Sequence, residues 1–107
     1  MSISGSPLHN YRARLLRVVD GDTIDVMLDL GFQTYCSQRL RLLGVDTPER
    51  GQPGFAEASE VTASTLNAAA VITVHTVRKD SFGRWLAEVW ADSVHLNAQL
   101  RIRGWKA

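Results

Sequence analysis

Cys36 is the only cysteine in the 107 residues, so no internal disulfide can form and a site built on several thiolates is excluded. Three histidines, His9, His75 and His95, stand too far apart for the short spacings of zinc ligands and read as structural or surface residues. Charge of one sign is also lacking. A formal charge of +1 argues against a protein that coats nucleic acid electrostatically. No apolar run approaches the roughly 20 residues of a membrane span, and the opening Met1-Ser2-Ile3-Ser4-Gly5-Ser6-Pro7 has neither a basic nor an apolar leader region. The chain as given reads as cytoplasmic with no membrane partner, or as secreted if an upstream signal has been removed.

What is present suits one domain. Hydrophobic content of 45% and charged content of 21% are ordinary for a globular chain with a modest core. Residues 1–10, with Ser, Gly and Pro, read as a flexible lead-in, and residues 11–107 as a single folded domain. Residues 11–19 mix apolar and arginine positions as a strand, and Asp20-Gly21 supplies a hairpin signal. Residues 23–30 alternate, with Ile24, Val26, Leu28 and Leu30 on one face and Thr23, Asp25, Met27 and Asp29 on the other. A third extended segment over 33–45 is long enough to bend or bulge, and it completes a meander.

Residues 55–70 are alanine-rich without glycine or proline and read as a helix, with Ala58, Val61, Leu66 and Ala69 near one stripe. Residues 71–78 and 85–91 read as strands joined by a polar turn over 79–83. Asp92 or Ser93 can cap a last short helix carrying Leu96 and Leu100, with Gly104 as its C′ residue. The order β-β-β-α-β-β-α gives a β-rich α+β chain and fits a five-stranded OB-fold barrel.

The functional stretch is Arg41-Leu42-Leu43-Gly44-Val45-Asp46-Thr47-Pro48-Glu49-Arg50. A strand bearing an outward arginine turns to loop at Pro48, and within a few residues offers a guanidinium, a carboxylate beside a threonine, and a second carboxylate. Such a set can handle a phosphate ester. Ten of the twelve basic residues are arginines, whose planar donor fork matches phosphate oxygens. Asp22-Thr23 repeats the Asp-Thr pair at a second strand end, so two carboxylates from separate segments can converge on a cation. Read one at a time, the aspartates are more often turn residues and the arginines more often an exposed strand residue at 41 and an Arg84 paired with Asp80, and Glu49 can serve as a loop cap. Asp20 serves either as a carboxylate behind the site or as half of a turn.

Taken together, Val19-Asp20-Gly21-Asp22-Thr23, then Arg41 through Glu49, then Phe82-Gly83-Arg84 closely resemble the staphylococcal nuclease (thermonuclease) family. The resemblance runs from about Tyr11 to Trp105, including Asn97, Leu100 and Gly104 in the second helix. It implies a Ca²⁺-dependent phosphodiesterase that hydrolyses DNA and RNA, single-stranded or locally opened, with little base preference and with 3′-phosphate ends. By this resemblance Asp22 and Asp46 bind Ca²⁺ through their carboxylates and Thr47 through its backbone carbonyl. Glu49 is the general base for an attacking water, and Arg41 and Arg84 bind the phosphate and offset charge built up at phosphorus.

Phe82 and Tyr35 are candidates for stacking on bases, whereas Trp85 reads as core. The connection between the second and third strands is longer than in the family's best-known member, and the loop from Pro48 to the helix is shorter. The family's usual third C-terminal helix has no counterpart before Ala107, from which a homodimer or a marginally stable monomer is expected. The rival readings are a catalytically inactive nucleic-acid-binding module and a barrel serving as an interaction scaffold.

Overall fold

The computed structural model describes residues 10–107, so the expected lead-in, except Asn10, and His9 lie outside the described residues. β1 (Asn10–Asp20), β2 (Thr23–Asp29) and β3 (Tyr35–Leu42) form the antiparallel meander that the alternation predicts. α1 (Phe55–Asn67) follows, then β4 (Ile72–Lys79), β5 (Trp85–Ala91), the two-residue β6 (Val94–His95) and α2 (Leu96–Ile102). β1 also pairs antiparallel with β4, β4 with β5, and β5 returns parallel to β3 through Leu40↔Trp85, Arg41↔Leu86 and Leu42↔Ala87. That last pairing closes β1-β2-β3-β5-β4 into a five-stranded OB-type barrel, leaving β6 appended to the far half of β5.

Closure explains the burial pattern. Ile24, Val26 and Leu28 point into the barrel and are buried, as the period-2 reading requires, but Leu30 lies past the strand end and is exposed. Leu40, Leu42, Val74, Val89, Leu96 and Leu100 are fully buried with them. Each such side chain contributes on the order of 1.5–3 kcal/mol relative to exposure. The bend expected in the third strand falls instead in β1, whose register slips between Leu15 and Arg17 and again between Val18 and Asp20. The longest strand has to serve both β2 and β4, and bulges let it coil between them. β3 runs without a slip and ends at Leu42 rather than Val45.

Two boundaries depart from expectation for one reason. Asp92 does not cap α2. Its carboxylate accepts the N–H groups of Ala70 (3.1 Å) and Val71 (2.9 Å), which draws the chain out of α1 early and into β4. With Asp92-Ser93 used in the hairpin turn before β6, the N-cap position of α2 falls to His95. The other end of α2 is as predicted: Gly104, at φ 104°, sends its N–H to the Arg101 carbonyl (2.9 Å), and Trp105 sends its own to Leu100 (3.1 Å). These two bonds make a Schellman cap, for which glycine at C′ has no Cβ penalty.

α2 locks the barrel's closing seam through Asn97, which is fully buried. Its Oδ1 accepts the Val89 N–H (2.9 Å), while Nδ2 donates to the carbonyls of Leu43 (2.9 Å) and Ala87 (3.0 Å). Every one of these partners sits where β3 leaves the sheet beside β5, so a buried amide fixes the start of the loop that carries Asp46 and Glu49.

Candidate active site

The turn between β1 and β2 is the floor of the site. Asp20 pairs with Thr23, so the two-residue loop is Gly21-Asp22, one position later than the sequence signal suggested. A Cβ on Gly21 would stand 2.9 Å from the Cβ of Ala58 and 3.0 Å from the side chain of Thr47, so only glycine lets α1 and the Thr47 loop close on this turn. Thr62, buried in α1, ties the turn down by donating its hydroxyl to the Gly21 carbonyl (2.7 Å).

Asp22 is thereby held in the protein at 3% exposure. One carboxylate oxygen accepts the Thr23 hydroxyl (3.0 Å) and the other accepts the backbone N–H of Thr47 (3.1 Å). The Arg41 guanidinium stands 3.4 Å from that second oxygen and 3.6 Å from a carboxylate oxygen of Asp46, and it donates to the Val45 carbonyl (3.2 Å). A buried carboxylate needs such partners, because an unpaired charge away from water is costly. Arg41 reaches both aspartates because β3 sets it opposite Thr23 in the ladder, adjacent to the turn. The structure thus brings Asp22, Arg41, Asp46 and Thr47 together from three chain segments.

Asp46 is mostly exposed and is braced from behind, its N–H donating to the Trp105 carbonyl (3.3 Å) while Val45 bridges to Lys106. It opens with Thr47, Pro48, Glu49, Gln52 and Trp105 onto a cleft of about 430 Å³. Glu49 is exposed there, and its loop is closed by reciprocal bonds: the Gln52 side-chain oxygen accepts the Glu49 N–H (2.7 Å), and the Glu49 carbonyl accepts that of Gln52 (2.9 Å). Among the described residues the exposed Glu49 carboxylate has no hydrogen-bond or ion-pair partner of its own.

Arg84 is placed differently. Its guanidinium is held by Asp80, with Nε at 2.9 Å and Nη2 at 2.8 Å from the same oxygen, and lies 5.4 Å from the centre of the Phe82 ring. Desolvation pushes the Asp80 carboxyl up, but the N–H groups of Arg84 and Phe82 and the guanidinium outweigh it and hold it below the ordinary carboxylate range. Arg84 belongs to the turn before β5, next to the closing seam, and does not line the Glu49 cleft. Phe82 is 82% exposed and Tyr35 57%, both open to a stacking partner, while Trp85 packs partly buried against the core.

Among the described residues no cluster of three or more His, Cys, Asp or Glu side chains is set to hold a metal. The donors beside the cleft are two carboxylates, Asp22 and Asp46, while the Thr47 hydroxyl, buried without a hydrogen-bond partner, packs against the Gly21 turn. Two carboxylates brought together from separate segments suit a hard, oxygen-seeking divalent cation that completes its shell with neutral oxygens.

Gln52, Thr62 and Trp105 were not foreseen as part of the site. A usable signal existed for Trp105: an apolar residue just after a C′ glycine commonly packs back over the helix end, here bringing it to the loop of Asp46. The sequence model of the family described as staphylococcal nuclease homologue matches residues 39–105. The chain belongs to that family. It is 39% identical over 98 residues to a thermonuclease of Staphylococcus hyicus, covering 85% of this chain and 55% of that protein. Over 95 residues it is 35% identical to an uncharacterized endonuclease of Escherichia coli O157:H7, covering 88% and 58% respectively. A micrococcal nuclease of Shigella flexneri is 31% identical over 93 residues, covering 87% and 50%. The chain therefore spans little more than half the length of these relatives of the staphylococcal nuclease family.

Proposed function

We propose that the protein is a Ca²⁺-dependent nuclease that hydrolyses phosphodiester bonds of DNA and RNA with little sequence preference and leaves 3′-phosphate ends. The observation that carries the reading is the single guanidinium of Arg41 touching both Asp22 and Asp46 at the rim of a cleft into which Glu49 opens. The names of its relatives, thermonuclease and micrococcal nuclease, support the same class of reaction.

Asp22 and Asp46 would hold Ca²⁺ with the Thr47 carbonyl, water and substrate oxygens. When bound, the cation supplies Lewis-acid stabilisation of charge on the phosphoryl oxygens. Glu49 takes a proton from the attacking water, whose oxygen bonds to phosphorus as the bond to the 5′-oxygen breaks. Arg41 donates to the phosphoryl oxygens as negative charge accumulates there, and Arg84 supplies a second donor once its fork turns from Asp80. The 5′-oxygen departs as a hydroxyl, its proton supplied by solvent, and the phosphate stays on the 3′ side. Little base preference follows from a site built of groups that address phosphate and not base edges. Stacking of bases on Phe82 or Tyr35 favours single-stranded or locally opened substrate.

The Asp80 hold on Arg84 favours one rival reading, an inactive nucleic-acid-binding module. Cleavage of single-stranded DNA and RNA with Ca²⁺ against chelator separates the two, with Glu49→Gln run beside wild type. Wild type is expected to cleave only with the cation. Glu49→Gln is expected to bind the oligonucleotide normally while its single-turnover rate falls roughly 10²- to 10⁴-fold. Binding without any metal-dependent cleavage by wild type would establish the binding module instead.

A further inference from the structure

The outer face of the β1–β2–β3 meander carries charge that the cleft does not use. The ladders set Arg41 beside Thr23, then Arg39, Asp25 and Arg17 in one row, Ser37, Met27 and Arg14 in the next, and Tyr35, Asp29 and Arg12 in the last. Successive rows are two residues apart on β2 and β3, and on β1 the bulge between Leu15 and Arg17 absorbs one extra residue, so all these side chains leave the same side of the sheet. Five arginines therefore face two aspartates along a track that starts at the candidate active site.

The two ends of the track differ. In the near row Asp25 is consumed: Arg39 binds it with Nε at 2.8 Å and Nη2 at 3.1 Å, and Arg17 approaches to 3.5 Å. The hydrogen bonds from Arg39 hold the Asp25 carboxyl below its ordinary range. In the far rows Arg12 and Arg14 are exposed and carry no side-chain ion pair among the described residues. Asp29 turns instead to the Gly31 N–H (2.8 Å). Arg12, Arg14, Met27, Asp29 and the exposed ring of Tyr35 surround a shallow depression of about 230 Å³. Two free donor forks beside an open aromatic ring match a phosphodiester backbone with a base to stack.

We propose that Arg12, Arg14 and Tyr35 form a distal subsite for single-stranded nucleic acid, which holds the substrate strand away from the scissile bond. This deepens the nuclease reading and rests on it for the identity of the strand's other end. Tyr35 lies six residues along β3 from Arg41, which at the rise of an extended strand is roughly 20 Å. A strand spanning both ends falls within the roughly 4–16 nucleotides that a barrel of this type accommodates.

The subsite is tested by fluorescence anisotropy of an oligothymidylate about twelve nucleotides long, chosen within that range, and by cleavage of the same strand and of a dinucleotide. Anisotropy is measured in chelator, so it needs no cleavage. The double variant Arg12→Gln/Arg14→Gln is expected to lose about tenfold in affinity, and its slope of log affinity against log salt to flatten by about 1.4, the value for two single-strand phosphate contacts. Arg12→Lys/Arg14→Lys should retain the slope. Arg78→Gln/Arg103→Gln removes the same charge from exposed positions off this face and should change affinity less than about twofold. Tyr35→Ala should lose about tenfold and Tyr35→Phe almost nothing, because stacking uses the ring.

In cleavage, the preference of wild type for the long strand over the dinucleotide should shrink in Arg12→Gln/Arg14→Gln. Equal losses in the two glutamine double variants, or wild-type affinity in Arg12→Gln/Arg14→Gln, would overturn the subsite. Absence of all cleavage with the affinity pattern intact would support the subsite and defeat the nuclease reading.

Discussion

Arg41 and Arg84 are both arginines at the edge of β-strands facing the closing seam of the barrel, yet the fold treats them in opposite ways. Arg41 projects from within a ladder, is tied to residues from two other segments, and holds two carboxylates near one another. Arg84 projects from a turn and is tied to Asp80, four residues away in its own turn. The first arrangement is a product of tertiary structure, and the second is a local ion pair of a kind found on many surfaces. On the proposed function, a residue built into the barrel would set where phosphate and cation meet, whereas a residue captured by its own turn would have to be released to take part.

The strongest way to break this contrast is to remove Arg41. Arg41→Ala is expected to lower the single-turnover cleavage rate roughly 10³-fold, the upper range for losing one preorganised donor, and to weaken oligonucleotide binding with it. Arg84→Ala is expected to lower the rate roughly 10²-fold with binding little changed. Rate and anisotropy measured on the same preparations check both, and equal losses of rate and binding in the two variants would erase the distinction.

Asp80→Asn sharpens the comparison by cutting the local tie while leaving Arg84 in place. Because Arg84 takes part only after its fork leaves Asp80, the cost of that release should drop and the rate rise by roughly a few-fold. The melting temperature should drop by a few degrees, because the N–H groups of Phe82 and Arg84 lose a charged acceptor. A slower enzyme would mean that Asp80 aims the arginine instead of withholding it.

The smallest expected effect is on stability in acid. Asp80 and Asp25 both titrate lower in the folded chain than in the unfolded one, so unfolding takes up protons and stability falls as pH falls. Their contribution is complete above the ordinary aspartate value of about 3.9 and is lost as pH drops through the folded values. Thermal melting should be nearly flat from neutrality to about pH 5 and decline below about pH 4. Asp25→Asn and Asp80→Asn should each remove part of that decline, Asp25→Asn without touching the cleavage rate.

Local chemistry made much of the barrel legible. β5 begins and ends where its β-branched and aromatic residues predict, and Gly104 stops α2 as a C′ glycine should. Elsewhere local signals were ambiguous or absent. The connection between β2 and β3 closes with Phe32 and Gln33 at φ 54° and 59°, a conformation usually signalled by Asn or Gly, and neither residue advertises it. Asp92 is a good helix cap by type, but the nearest unsatisfied N–H groups belong to Ala70 and Val71, more than twenty residues back in the chain.

By itself the sequence determined the order of the elements apart from the two-residue β6 and, through the period-2 runs, which faces enter the barrel. It also placed Asp22, Arg41, Asp46, Thr47 and Glu49 at strand ends and loops. Those outcomes depend on neighbours within a few residues, where propensity and periodicity act. Tertiary structure alone decided that Arg41 would contact Asp22 and Asp46, that Asn97 would fasten Leu43 to β5, that Trp105 would brace Asp46, and that Arg12 and Arg14 would share a face with Tyr35. Each of these contacts joins residues whose separation along the chain carries no distance information, and closure of the barrel is what converts their order into proximity.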